Sequence, residues 1–185
     1  YNPSQNSPIP ELSWKDFIPN DYKISEKIIE EKIEKYLQKN LSDSNSSISI
    51  SLSGGVDSSL VLGYIRKLFP NITIEAVSIK FSDSIDETQD AKKIAEHFGA
   101  KHHILEVDNY LEILPSAIGI TKMPFWDNHW YFISQFASKK SKILASGDGG
   151  DEIFGGYTFR YEKFLSQINP NSTPIEKVKA YLNCH

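Results

Sequence analysis

The middle of the chain restricts the fold most, because short apolar runs rich in β-branched residues alternate there with longer amphipathic ones. Residues 48–52 (ISISL) read as a short strand. After a glycine loop, residues 59–69 (SLVLGYIRKLF) read as a helix whose apolar side chains gather on one face and around its start. Residues 71–81 (NITIEAVSIKF) predict a second strand, residues 86–100 (DETQDAKKIAEHFGA) a helix stopped by Gly99, and residues 101–107 (KHHILEV) a third strand. A helix around residues 130–139 leads into a strand at 142–146 (KILAS) and then into a second glycine-rich turn, SGDGGDEIFGGY. Strands separated by helices need crossover connections, so the predicted fold class is α/β, a mostly parallel sheet with helices on both faces.

Before this alternation, residues 1–20 are rich in proline and small polar residues and read as an extended lead-in or linker, with LSWKDF as a possible anchoring patch. Residues 21–41 place Ile24, Ile28, Ile33, Tyr36, Leu37 and Leu41 near helical spacing, which predicts an amphipathic helix. The chain opens on Tyr1 rather than Met and closes on NCH after a helical pattern, so a fragment of a longer protein is expected.

In an open parallel sheet, ligands bind at the carboxyl ends of the strands, and both glycine-rich turns fall at such ends. The first, SGGVDSS, joins a strand to a helix start, where unpaired N–H groups and the helix dipole favour an anion. Ser53, Ser58 and Ser59 add hydroxyl donors. Asp57 would repel a bare phosphate but suits one that arrives with magnesium, so the loop reads as a site for a metal-bound polyphosphate. A plain glycine turn with a serine cap is the competing account. The loop lacks the lysine of the P-loop and the spacing of the dinucleotide fingerprint, which excludes both.

Charge and composition remove other classes. A net charge of −4 gives no broad electrostatic reason to bind nucleic acid or an anionic membrane. No apolar run approaches the length of a membrane helix, and the opening has no signal-peptide pattern, so a cytoplasmic location is expected. The single cysteine, Cys184, rules out an internal disulfide and argues against a cysteine-based zinc site.

Residues 53–58, S-G-G-x-D-S, resemble the signature of the PP-loop ATP pyrophosphatases, which cleave ATP between the α- and β-phosphates. That motif is shared by GMP synthetase, argininosuccinate synthetase and tRNA-modifying enzymes. The second motif, Ser146 through Gly147, Asp148, Gly149, Gly150, Asp151 and Glu152 to Tyr157, resembles that of the asparagine synthetase family, and the similarity runs from about residue 48 to 161. The resemblance implies an adenine nucleotide alpha hydrolase-like fold over residues 21–185, a synthetase domain truncated on its C-terminal side, with ATP and Mg2+ as cofactors.

Position by position, the resemblance implies that Ser53, Gly54, Gly55 and Ser58 cradle pyrophosphate, that Asp57 and Asp151 hold magnesium, and that Ser146 adds a pyrophosphate-side hydroxyl. Leu52, Ile79 and the backbone at Gly147 would enclose adenosine, and Asp148 stands where many relatives carry Glu, near the acceptor amine or ammonia. A capped helix start is the alternative for Asp148, Asp151 and Glu152. For His102 and His103 a surface or strand role is expected rather than catalysis, and the run Lys139, Lys140, Lys142 reads as a solvated helix end. The aromatic stretch around Trp126 and Trp130 is either core or a wall of the acceptor pocket.

The implied reaction is ATP-dependent amide formation: a carboxylate such as aspartate is activated as an acyl-adenylate, pyrophosphate leaves, and ammonia or an amine displaces AMP. Family members draw ammonia from an N-terminal glutaminase whose nucleophile is the first cysteine, and this chain begins Tyr-Asn-Pro, so the donor would be a separate domain, another subunit or another amine. Relatives also place a lysine for adenylation downstream of the second motif; Lys177 and Lys179 precede its expected position. A β-lactam synthetase or lasso-cyclase-like ligase and a non-catalytic ATP-binding module remain as alternatives.

Overall fold

A computed structural model describes residues 26–42, 47–82, 86–122 and 129–184. The lead-in, with its LSWKDF patch, and Trp126 lie outside these residues. Four strands form one sheet: β1 (Ser47–Ser51), β2 (Thr73–Phe81), β3 (Lys101–Val107) and β4 (Leu144–Ala145). Their order is β3-β2-β1-β4, and every pairing is parallel.

Eight helices are described: α1 (Glu26–Leu41), α2 (Val56–Leu68), α3 (Thr88–His97), α4 (Tyr110–Thr121), α5 (His129–Ala137), α6 (Gly150–Phe154), α7 (Thr158–Gln167) and α8 (Pro174–Leu182). The expected α/β alternation is present, with shifted ends. α2 begins inside the loop at Val56, and the strand expected over 142–146 keeps only Leu144 and Ala145 in the ladder. α5 ends at Ala137, so Lys139, Lys140 and Lys142 follow it as exposed residues.

Strand periodicity sorts side chains onto two faces. Ile48, Ile50 and Leu52 from β1 and its extension join Ile74 and Ala76 of β2 on one face. There they pack with Leu37 and Leu41 of α1, Leu62 and Ile65 of α2, and Ala91 and Ala95 of α3. Ile48, Ile50, Leu52, Leu62, Ile65 and Ile74 are each at most 1% exposed, and full burial of such side chains is worth about 2 kcal/mol apiece. α5 contacts β1 and β2. Its Phe136 ring lies 4.9 Å from that of His103, beside the buried Glu75.

Glu75 is a charge inside this second layer and is held there by partners. Its carboxylate meets His103 Nε2 at 2.6 Å and Lys101 Nζ at 3.5 Å. Burial pushes its pKa up, but the His103 hydrogen bond with Lys101, His103 and Lys140 outweighs it and leaves the carboxyl below its ordinary value.

The strand order has one further consequence. From β1 the sheet grows one way through β2 and β3 and the other way to β4, so the crossovers leave in opposite directions and open a crevice at the carboxyl ends of β1 and β4.

Candidate active site

The first glycine loop fills the step from β1 to α2. Gly54 takes φ +84°, and Gly55 caps α2, so no cap side chain occupies the first-turn N–H groups. The loop is braced from within: the Gly55 N–H donates to Ser53 Oγ at 3.2 Å, the Ser53 N–H donates to Ser58 Oγ at 3.3 Å, and Ser58 and Ser59 hydroxyls donate to the Gly55 carbonyl.

The second loop presses directly on the first. A Cβ on Gly147 would collide with the Ser58 amide nitrogen and the Asp57 backbone, and one on Gly150 would stand 2.6 Å from both Asp57 carboxylate oxygens. Only glycine permits that approach. The two motifs, ninety residues apart, therefore meet at Asp57. At the far end of the second motif, the Tyr157 hydroxyl donates to Glu152 Oε1 at 2.5 Å, a bond that lowers the Glu152 pKa. Glu152 thus points to a partner within its own motif.

Two clefts flank the end of β1. One, of about 430 Å³, is lined by Ser53, Gly55, Asp57, Ser58, Ser146, Gly147, Asp148 and Asp151, with Ser51, Val56, His129 and Trp130 completing it. The other, of about 380 Å³, is lined by Leu52, Ile79, Phe81, Ile133, Ser78 and Thr88 together with Glu87, Ser51, Ser53 and His129. Ser51, Ser53 and His129 belong to both, so the clefts adjoin across β1.

Of the site residues expected from the sequence, Ser53, Gly55, Asp57, Ser58, Ser146, Gly147, Asp148 and Asp151 thus share the polar cleft, while Leu52 and Ile79 share the apolar one. Gly54 lines neither cleft; a Cβ there would crowd the start of α3, 3.2 Å from the Ala91 amide nitrogen. His129 at the start of α5 and Thr88 at the start of α3 were not foreseen. His129 sat inside the aromatic stretch flagged for Trp126 and Trp130, and its place between two clefts depends on helix packing that no local pattern encodes.

The donor chemistry fits magnesium. Three carboxylates, Asp57, Asp148 and Asp151, line the polar cleft, and magnesium is bound through one or two carboxylates plus phosphate oxygens and water, so Asp57 and Asp151 would suffice to hold it. No group of three or more metal-ligating side chains occurs among the described residues, so a cage built by the protein alone is absent there.

The asparagine synthase family matches residues 29–182, most of the chain, and the match spans both motifs and both clefts. The chain belongs to the asparagine synthase family. Among its relatives is a putative glutamine-hydrolysing asparagine synthetase of Methanocaldococcus jannaschii, 36% identical over 111 residues, covering 57% of this chain and 22% of that one. Asparagine synthetase 1 of Bacillus subtilis is 28% identical over 116 residues, with 60% and 18% covered. An NH3-dependent NAD+ synthetase of Carboxydothermus hydrogenoformans is 36% identical over 89 residues, with 48% and 36% covered. The aligned region thus spans about a fifth of the length of the asparagine synthetases it matches.

Among solved structures, the NH3-dependent NAD synthetase of Campylobacter jejuni superposes with a TM-score of 0.51 at 19% identity, covering 71% of this chain and 60% of that one. That likeness shows the fold, a parallel sheet covered by helices. No helix among the described residues is long and apolar enough to cross a membrane.

Proposed function

We propose that this chain is the ATP-binding part of an amide-forming ligase of the asparagine synthetase type. The observation that carries the reading is the pairing of clefts across β1: an acidic, glycine-walled one continuous with an apolar one. Such a pair suits a nucleotide lying over the strand end, its base beside Leu52 and Ile79 and its phosphates between the two glycine loops. Membership of the asparagine synthase family supports ATP as the substrate.

In this reading a substrate carboxylate oxygen attacks the α-phosphorus of ATP, the bond to the β-phosphate oxygen breaks, and pyrophosphate leaves. The nitrogen lone pair of ammonia or an amine then attacks the acyl carbon, AMP leaves with the former carboxylate oxygen, and the nitrogen sheds a proton. The protein's contribution is placement and charge compensation. The backbone of residues 53–58 and the start of α2 hold the polyphosphate, Ser146 reaches it from the opposite wall, and Asp148 faces the incoming nitrogen. Asp57 and Asp151 would hold magnesium, which when bound neutralises the charge of the departing pyrophosphate. Aspartate as the carboxylate is supported by the asparagine synthetase relatives, and ammonia as the nitrogen donor by the NH3-dependent NAD+ synthetase. A glutaminase domain or subunit would supply that ammonia.

The test is product analysis on the full-length protein with Mg-ATP, aspartate and an ammonium salt. AMP and asparagine in equal amounts are expected. Release of ADP would overturn the reading, and AMP without asparagine would replace aspartate by another carboxylate.

A further inference from the structure

The end of β1 is held by a hydrogen-bond chain that comes from across the sheet. The Leu52 N–H still donates to the Val77 carbonyl at 2.9 Å, as a continuing parallel ladder requires. The Leu52 carbonyl instead accepts from the Ser78 hydroxyl at 2.5 Å, and Ser78 Oγ lies 2.8 Å from His102 Nε2. Ser78 is 4% exposed, and both it and Leu52 line the apolar cleft.

One proton decides the direction of this chain. A serine hydroxyl has a single hydrogen, and the Leu52 carbonyl can only accept, so that hydrogen lies between Ser78 and Leu52. His102 must then be the donor, through Nε2–H. Burial, reinforced by the neighbouring His103 and Lys92, lowers the His102 pKa and keeps the ring neutral, which suits a single fixed tautomer.

The backbone geometry gives the chain a purpose. Along a parallel strand, successive residues direct their N–H and C=O pairs to alternate sides. The Val77 carbonyl points to the β1 side, so the N–H and C=O of Ile79 do as well. The partner that a continuing ladder would offer the Ile79 N–H is the Leu52 carbonyl, and that carbonyl is engaged by Ser78.

We propose that Ser78 and His102 are positioning residues for the nucleotide: by holding the Leu52 carbonyl, they end the ladder one step early and leave the backbone edge of Ile79 facing the apolar cleft. This inference rests on the nucleotide reading of that cleft. Neither side chain takes part in the chemistry.

The test is ATP binding and turnover by the full-length protein, with the thermal midpoint of each variant measured alongside. Ser78→Ala is expected to raise the KM for ATP roughly tenfold, the scale of one neutral hydrogen bond, with the loss falling on KM more than on kcat. His102→Leu should raise it severalfold, and His102→Gln, whose amide can still donate to Ser78, should restore it. Nitrogen-15 NMR of the wild-type imidazole should show the Nε2–H tautomer. An unchanged KM in Ser78→Ala, a His102→Gln variant as impaired as His102→Leu, or an Nδ1–H tautomer would overturn the proposal. A lowered midpoint with KM unmoved would also overturn it, because that pattern is purely structural. If the wild-type protein itself bound no ATP, the nucleotide reading would fail instead, so the two failures are distinguishable.

Discussion

The two clefts beside β1 differ in what builds them. The β1/β4 cleft is made by loops: its walls are glycines and acids from two motifs, and its closeness depends on Gly147 and Gly150 lying against Asp57. The β1/β2 cleft is made by regular elements: Ile79 and Phe81 from a strand, Ile133 from a helix, and Leu52 at the strand's end. On the proposed reading, charge compensation would fall where the two loops press together, and shape selection where strand and helix side chains form the wall. Exchanging an acid in the first should change chemistry with little loss of fold, while truncating an apolar side chain in the second should cost stability and affinity together.

The largest expected effect lies in the loop-built cleft. Asp57→Asn keeps the shape of the side chain and removes its charge, so Mg-dependent ATP turnover by the full-length protein should fall by about 10²-fold or more while the thermal midpoint stays near that of the wild type. Turnover at the wild-type level would remove Asp57 from the site, and Asp151→Asn offers an independent check at the other wall.

Next comes the element-built cleft. Ile133 is 2% exposed, and Ile133→Ala should destabilise the protein by about 2–5 kcal/mol in denaturant titration and weaken ATP binding, leaving the magnesium dependence of turnover unchanged. A change in magnesium dependence instead would erase the distinction between the clefts. Gly147→Ala tests the seam: its methyl group meets the Ser58 amide, so the loops must part, at a cost of about 1–3 kcal/mol together with weaker nucleotide binding. Unaltered stability would mean that the loops are not in contact.

The smallest effect is a pH dependence carried by the β2 and β3 side of the sheet. Glu75 has a depressed carboxyl pKa in the fold, so its stabilising contribution is complete above the ordinary carboxylate value and is lost as pH falls through the folded one. The His102 pKa is lowered as well, so the unfolded chain takes up that proton first, and stability declines as pH falls from 6.5 towards the lower folded value. Urea midpoints followed from pH 7 down to about pH 3 should drop in both ranges, the Glu75 loss setting in below the ordinary carboxylate value, and His102→Gln should flatten the upper one. A flat profile would contradict both assignments.

Much of this arrangement was legible in the sequence where local signals agree. The β-branched runs gave β1, β2 and β3 nearly to the residue, Gly99 ended α3 close to where it was expected, and the two glycine motifs pointed to the strand ends they occupy. What stayed hidden is of another kind. α4 was not foreseen: it carries Pro115 in its interior, which breaks the ordinary helical signal, and its Asn109 cap makes no side-chain hydrogen bond. α7 was also missed, lying beyond the motif with no capping signal at Tyr157. The strand order, the meeting of Gly147 with Ser58 and the place of His129 between two clefts all depend on long-range packing, which single-residue patterns do not record.

The most direct test of the account is a crystal structure of the full-length protein with magnesium and a non-hydrolysable ATP analogue whose α–β bridge is methylene. The account predicts the adenine beside Leu52 and Ile79 and the phosphates between the 53–58 loop and residues 146–151, with the metal held by Asp57 and Asp151. An adenine in the β1/β4 cleft, or phosphates away from both glycine loops, would contradict it.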